Sequence, residues 1–216
     1  FEFDGLRYSR SFLNYMRGLV KLKREVPDLE LRTVLEIGGG FGTLGEILLT
    51  SGATGVRYIN IDIPPVAFIS SYYLQQVLGA DRVDSYDLTR TRETLPVDSL
   101  RDATVLCAWQ TPKLVGSVDL FVNFISFQEM EPDVVANYVS HVVRLAPKYV
   151  LLRNSTTGKP VKKSAAGVGV TEPVTRQLYL DSFVGSKLAA SDSVLFGHVT
   201  EGGLTSEVML LRRVDA

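Results

Sequence analysis

The run Thr33-Val34-Leu35-Glu36-Ile37-Gly38-Gly39-Gly40-Phe41-Gly42-Thr43-Leu44 constrains this chain more than any other stretch, because it joins an apolar strand to a helix through four glycines in five residues. Glycine lets backbone N–H groups come close to a ligand where any Cβ would clash, and a helix start offers unpaired N–H donors and the positive end of a dipole. The pattern predicts a turn that holds a cofactor; its alternative is a tight strand-to-helix turn with no ligand. Glu36 bears on which ligand. A carboxylate two residues ahead of the glycines repels a pyrophosphate, whereas it can accept hydrogen bonds from a cationic amine or an amino-acid ligand.

Strand and helix patterns alternate on both sides of this turn. Phe12, Tyr15, Met16, Leu19 and Val20 form the apolar stripe of an amphipathic helix whose other face carries Arg17, Lys21 and Arg24, and Pro27 closes it within an N-terminal helical segment, 1–30. Strands are expected at Thr33–Ile37, Val56–Ile63, Thr104–Ala108, Val118–Ile125 and Tyr149–Leu152. Helices are expected after the glycine turn, from Pro64 to Leu78, over Pro132–Leu145 and over Pro173–Lys187. The polar stretch Ala80–Asp102 reads as a surface excursion, with Arg82–Tyr86 as a rival third strand. Residues 154–171 read as a mobile substrate loop. Ser193–Val199 and Ser206–Val214, joined by a Glu201-Gly202-Gly203 turn, read as a closing hairpin. The fold class that follows is α/β: one domain over 1–216, a Rossmann-like doubly wound seven-stranded sheet, mostly parallel with a C-terminal antiparallel hairpin.

Composition excludes several classes of function. With 23 basic and 24 acidic side chains and a net charge of −1, no global field draws the chain to nucleic acid. No apolar run reaches the length of a membrane span, so no membrane insertion is expected. The single cysteine, Cys107, rules out an internal disulfide framework, sits in a strand pattern as a buried thiol and fits a reducing, cytoplasmic compartment. The chain opens at Phe1, which leaves room for an upstream domain, and nothing in it argues against a homo-oligomer. No zinc spacing and no recognisable metal-ligand pattern is present.

Asp62 ends the second strand, Tyr58-Ile59-Asn60-Ile61-Asp62, about twenty residues beyond the glycine turn, the spacing of a carboxylate that accepts both hydroxyls of a ribose. A helix-capping aspartate is the alternative. Gly40, Gly42 and Gly45 formally satisfy G-x-G-x-x-G, which favours NAD. Glu36, the crowding of Gly38, Gly39 and Gly40, and the closing hairpin favour S-adenosyl-L-methionine.

Here the residues resemble a known family. Glu36-Ile37-Gly38-Gly39-Gly40-Phe41-Gly42 resembles the first motif, E-x-G-x-G-x-G, of the class I S-adenosylmethionine-dependent methyltransferases. Together with Ile61-Asp62-Ile63-Pro64 and Ser126-Phe127-Gln128-Glu129-Met130, it resembles the bacterial sugar O-methyltransferase family over about Val34 to Asn154. The resemblance implies that Gly38, Gly39, Gly40 and Gly42 cradle the methionine portion and that Glu36 organises the turn and the amine. Asp62 would bind the ribose, and Ile63 would pack on the adenine. Ala108, Trp109 and Gln110 would meet the adenine edge, with Asp87 as the rival if the third strand lies at Arg82–Tyr86; Trp109 also has an ordinary reading as a core or rim aromatic.

The implied reaction is methyl transfer to a sugar hydroxyl of a glycan, nucleotide sugar or glycosylated natural product. Such a hydroxyl needs alignment and a proton acceptor. Glu129, near the end of the fourth strand, is the first candidate base, although it can equally cap the helix from Pro132. His198 is the second candidate, while His141 reads as a helix-face residue. Asn123 is expected on the cofactor side, and Ser126, Gln128, Arg176 and Tyr179 on the acceptor side. Arg153, Lys159, Lys162 and Lys163 would suit an acidic or phosphorylated sugar, or form a solvated basic loop. Three alternatives remain: a methyltransferase for another small-molecule oxygen or nitrogen, a NAD-dependent oxidoreductase, and a cofactor-fold interaction module.

Overall fold

The computed structural model describes residues 1–52, 54–164, 167–192 and 206–215. Its main elements are α1 (Arg10–Glu25), β1 (Thr33–Ile37), α2 (Thr43–Thr50), β2 (Arg57–Asp62), α3 (Pro64–Leu78), β3 (Val83–Asp84), β4 (Ala103–Cys107), β5 (Leu120–Phe124), α4 (Pro132–Arg144), β6 (Tyr149–Ser155), α5 (Arg176–Ser182), β7 (Ser186–Asp192) and β8 (Ser206–Arg213). One sheet runs in the order β7-β8-β6-β5-β1-β2-β4-β3. Every pairing is parallel except the two made by β8, which runs antiparallel between β6 and β7. Six of the seven expected strands lie in this sheet, and its two edges are Ser186–Asp192 and the two-residue β3. Both candidates for the third strand lie in the sheet, but Ala103–Cys107 is the one that pairs with β2.

The strands are apolar on both sides because both sheet faces are covered. Val34, Tyr58 and Leu210 face a core formed with α1, α2 and α3, and their neighbours Leu35, Ile59 and Leu211 face a second core formed with α4 and α5. Helix α1 starts at Ser9, whose Oγ accepts from Phe12 N at 3.1 Å. Gly18 lets α1 approach the sheet: a Cβ there would lie 2.5 Å from the Phe124 ring. One turn earlier, the Tyr15 ring stacks on Phe124 at 4.9 Å between centroids. Pro64 and Pro65 open α3, where the missing N–H costs nothing, and Gly79 closes it.

The C-terminal third departs from expectation. Helix α5 is half the expected length, and Ser186–Asp192, whose first two residues were expected to end that helix, is a strand paired with β8; the strand expected at Ser193–Val199 lies outside the described residues. Ser186–Asp192 is mostly exposed and carries little apolar surface, so backbone pairing with β8 holds it rather than burial. Asn154 and Ser155 belong to β6, paired with Glu207 and Ser206, so the loop expected from 154 begins only after them. Its far end is anchored where the Glu131 carboxylate accepts from Thr171 N at 2.7 Å and Glu172 N at 3.0 Å.

Candidate functional site

Strand order reverses at β1, which has β2 on one side and β5 on the other, so a crevice opens at the carboxyl ends of these strands. The glycine turn fills it. Gly38, Gly40 and Gly42 have φ of 73°, 59° and 87°, a region closed to most side chains. A Cβ on Gly38 would overlap the Ser126 side chain, and one on Gly39 would lie 2.5 Å from Glu36 Oε2 and 2.6 Å from Asn60 Oδ1. Gly40 alone of these looks onto open space.

The glycine N–H groups do not face that space. Gly38 N donates to Ile61 O at 2.7 Å and Gly42 N to Gly39 O at 3.0 Å. Gly39 N donates to Asn60 Oδ1 at 3.2 Å, and Gly40 N to Asp62 Oδ2 at 3.0 Å. The expectation that these amides serve a ligand is therefore corrected: the turn supplies room for close approach, and its glycine donors are spent inside the fold.

Glu36 is fully buried beneath Gly39 and does not reach the crevice. Its Oε1 accepts from Tyr15 Oη at 2.7 Å and its Oε2 from Tyr58 Oη at 2.5 Å, so the carboxylate ties α1 to β1 and β2. Burial pushes its pKa up to about 7, with the two hydroxyls pulling the other way. The expectation that Glu36 meets a ligand amine is corrected to a role behind the turn, and its repulsion of a phosphate is weakened by the same burial.

Asp62 is better placed. Its Oδ2 accepts from Gly40 N and its Oδ1 from Ile63 N at 2.8 Å, leaving a second lone pair on each oxygen of a part-exposed carboxylate. Burial raises its pKa against these two backbone donors. Asp62 is in register with Cys107, so the residues after β4 lie beside it. Trp109 and Ile63 are each 55% exposed there, and Trp109 meets Tyr86 edge to face at 5.9 Å. Gln110 is committed inward, accepting from Cys107 N and donating to Thr89 Oγ1. Asp87 pairs with Arg90 at 3.8 Å on the surface.

The residues expected around the acceptor divide. Asn123 is fully buried, its amide donating to Ile37 O and Ser126 Oγ while its Oδ1 accepts from Phe127 N and Asn154 Nδ2. It is corrected from a cofactor contact to a brace holding β1, β5 and β6 together. Ser126 Oγ also reaches Ile37 O at 3.1 Å, and the buried Gln128 accepts from Ser155 N at 2.6 Å. Tyr179 has no exposed surface, since its ring packs on Phe127 in the second core, so it does not face a substrate. Arg176 is bound to Glu207. Glu129 is half exposed and pairs with Lys159 at 2.9 Å. His198 lies outside the described residues.

A cavity of about 160 Å³ lies over the turn, reached by Ser11, Asn14 and Tyr15 of α1, by Phe124 and Ile125, and by Arg153. Ile125 has φ 75°, an outlier for a β-branched residue and a mark of stored strain at a site. Tyr15 enters the sequence reading only as part of an apolar stripe, and Tyr58 and Asn60 only as strand residues. The signal for two of them was present: Tyr58, Asn60 and Asp62 alternate along one apolar strand and therefore share a face.

No protein-family model matches the sequence, and no curated protein is significantly similar to it. Solved structures do match in fold. A Galdieria sulphuraria protein assigned as a sarcosine dimethylglycine methyltransferase is 14% identical with a TM-score of 0.66, over 97% of this chain and 92% of that one. Magnesium protoporphyrin IX methyltransferase from Synechocystis PCC 6803, solved with bound S-adenosylhomocysteine, is 13% identical with a TM-score of 0.61, over 94% and 83%. The small RNA methyltransferase HEN1 is 16% identical with a TM-score of 0.59; all of this chain matches 27% of that one. The fold is that of the class I S-adenosylmethionine-dependent methyltransferases. Among the described residues, no helix is long and apolar enough to cross a membrane, and no group of three or more His, Cys, Asp or Glu is placed to hold a metal ion.

Proposed function

We propose that this chain is an S-adenosylmethionine-dependent methyltransferase acting on a small molecule. The observation that carries the choice of cofactor is the internal use of all four glycine N–H groups. A dinucleotide's pyrophosphate needs those donors. An adenosyl amino acid needs only the room that Gly40 leaves, with Asp62 accepting from its ribose and Ile63 and Trp109 flanking its adenine. When bound, the cofactor supplies an electrophilic methyl group.

The chain's own groups would position the acceptor and take its proton. Glu129, carried on the turn after β5 and held by Lys159, is the base we put forward. A sugar hydroxyl as acceptor rests on the resemblance of the Glu36–Gly42, Ile61–Pro64 and Ser126–Met130 motifs alone. The broader reading, a small-molecule oxygen or nitrogen, draws support from the range of methyltransferases that share the fold. The near-neutral charge speaks against an RNA acceptor.

Isothermal titration with S-adenosylhomocysteine and with NAD tests the reading. Micromolar binding of the first and none of the second is expected, and preferential binding of NAD overturns it. With donor binding established, Glu129→Gln should leave affinity for S-adenosylhomocysteine unchanged while slowing transfer to an identified acceptor at least 100-fold.

A further inference from the structure

Arg153 is 5% exposed, on β6 opposite Phe124 of β5 and Val208 of β8. Its Nε is buried without a hydrogen-bond partner, and no carboxylate among the described residues pairs with it. The charged groups that act on it are Arg10 and Arg17 of α1, both of the same sign, against which only the Tyr15 hydroxyl helps. Burial and these like charges pull its pKa down to about 10. A guanidinium removed from water without a counter-ion is costly, which is why such groups are paired in most folds.

The missing partner has a place to sit. Arg153 lines the cavity over the glycine turn, and Ser11 and Asn14 at the start of α1 line it from above. That helix end adds unpaired N–H groups and the positive end of a sixteen-residue dipole. Beside it, the strained Ile125 passes its N–H to Arg153 O at 2.7 Å, fixing the β5 and β6 ends against each other at the cavity wall. The volume, about 160 Å³, suits an amino-acid-sized group and is too small for a nucleotide.

We propose that Arg153 and the first turn of α1 form a carboxylate-binding subsite at one end of this cavity, adjoining the open space at Gly40. The inference rests on the methyl-donor reading of the same crevice. The carboxylate can come from two sources, the amino-acid end of the cofactor or an acidic acceptor, and Arg153 would meet either through paired N–H donors.

Two measurements on the full chain test this. The first is titration of wild type and Arg153→Met with S-adenosylhomocysteine and with 5′-methylthioadenosine, which lacks the amino-acid end. The second is line broadening of ¹³C-acetate by each protein, with and without saturating S-adenosylhomocysteine. If the cofactor supplies the carboxylate, Arg153→Met weakens S-adenosylhomocysteine at least 30-fold and leaves 5′-methylthioadenosine within twofold, and S-adenosylhomocysteine displaces acetate. If the acceptor supplies it, S-adenosylhomocysteine affinity is unchanged and the saturated wild type still binds acetate, while the variant does not.

Loss of neither ligand in the variant overturns the subsite. Arg153-dependent acetate binding in a protein that ignores S-adenosylhomocysteine supports the subsite while sinking the methyl-donor reading. The urea midpoint of Arg153→Met is expected at or above that of wild type, because an unpaired buried charge is removed. Should that variant fail to fold, Arg153→Lys serves in its place, with an expected 3- to 10-fold loss in whichever arm responds and no loss in either arm overturning the proposal.

Discussion

Tyr58, near the start of β2, donates its hydroxyl to Glu36 Oε2, near the end of β1, across 2.5 Å, with no solvent on either residue. Tyr15 closes the other side from α1. The cluster lies directly under Gly39, so the shape of the glycine turn depends on a carboxyl group that titrates near neutrality.

That dependence gives stability a pH slope. The folded-state pKa of Glu36, about 7, lies above its ordinary value of 4.5, so the folded chain holds the proton more tightly than the unfolded chain. The contribution is fully present below pH 4.5 and is lost as pH rises through 7, amounting to roughly 3 kcal/mol. Urea midpoints measured from pH 4.5 to 8 should fall accordingly in wild type and flatten in Glu36→Gln. An unchanged slope in the variant would assign the effect elsewhere.

Two neighbouring glycines should fail in different ways. In Gly39→Ala the new Cβ meets Glu36 Oε2 and Asn60 Oδ1, on side chains held in place by Tyr15 and Tyr58 and, through Asn60 Nδ2, by Ser70, so the fold loses about 1–3 kcal/mol. In Gly40→Ala the methyl enters open space and costs the fold only about 1–2 kcal/mol of left-handed backbone strain. It enters the space proposed for the ligand, however, so S-adenosylhomocysteine affinity should drop at least tenfold. Paired urea and calorimetric titrations separate the two. Equal effects on binding and stability at both positions would show that Gly40 does not border the ligand.

Asp62 serves the fold and, in the proposed reading, the ligand as well. Asp62→Ala leaves the Gly40 N–H without its acceptor, worth about 1–3 kcal/mol of stability. It also deletes the expected ribose contact, for a 30-fold or larger loss of S-adenosylhomocysteine affinity. Asp62→Asn keeps one acceptor oxygen and should fall between. Full affinity in the alanine variant would remove Asp62 from the binding site.

Much of this was legible in the sequence, for definite reasons. The glycine turn, β2 ending at Asp62, and α3 opening on Pro64-Pro65 follow from local rules: positive φ, strand alternation and proline's missing donor. The direction of side chains did not follow. Glu36 and Asn123 look like ligand contacts in a motif, but alternation along β1 and β5 turns both inward, where Tyr15 and Tyr58 satisfy Glu36, and Ile37 O, Ser126, Phe127 N and Asn154 satisfy Asn123. Tyr179 carries a polar tip yet sits on the apolar side of a seven-residue helix, with its ring against Phe127. The Ser186–Asp192 strand was missed because its apolar pattern is nearly absent, and only its pairing with β8 defines it. In the sequence Arg153 groups with Lys159, Lys162 and Lys163, as an anion-recognising or a solvated basic loop, because burial beyond Leu152 leaves no mark on composition.

Arg176 offers the sharpest separation between a structural and a functional reading of one residue. Its Nε lies 3.1 and 2.9 Å from the two oxygens of Glu207, whose side chain is 5% exposed while that of Arg176 is 35% exposed. Removing the guanidinium leaves a buried carboxylate without a counter-ion, a loss that approaches 3 kcal/mol for a fully buried pair and is discounted here to about 2 kcal/mol by solvent screening on the arginine side. Arg176→Met should therefore lower the urea midpoint, and Arg176→Met combined with Glu207→Gln should recover most of the loss because no charge is then stranded. A residue kept for acceptor binding predicts the reverse: an unchanged midpoint in the single variant, a raised KM for the acceptor, and no rescue by the second substitution.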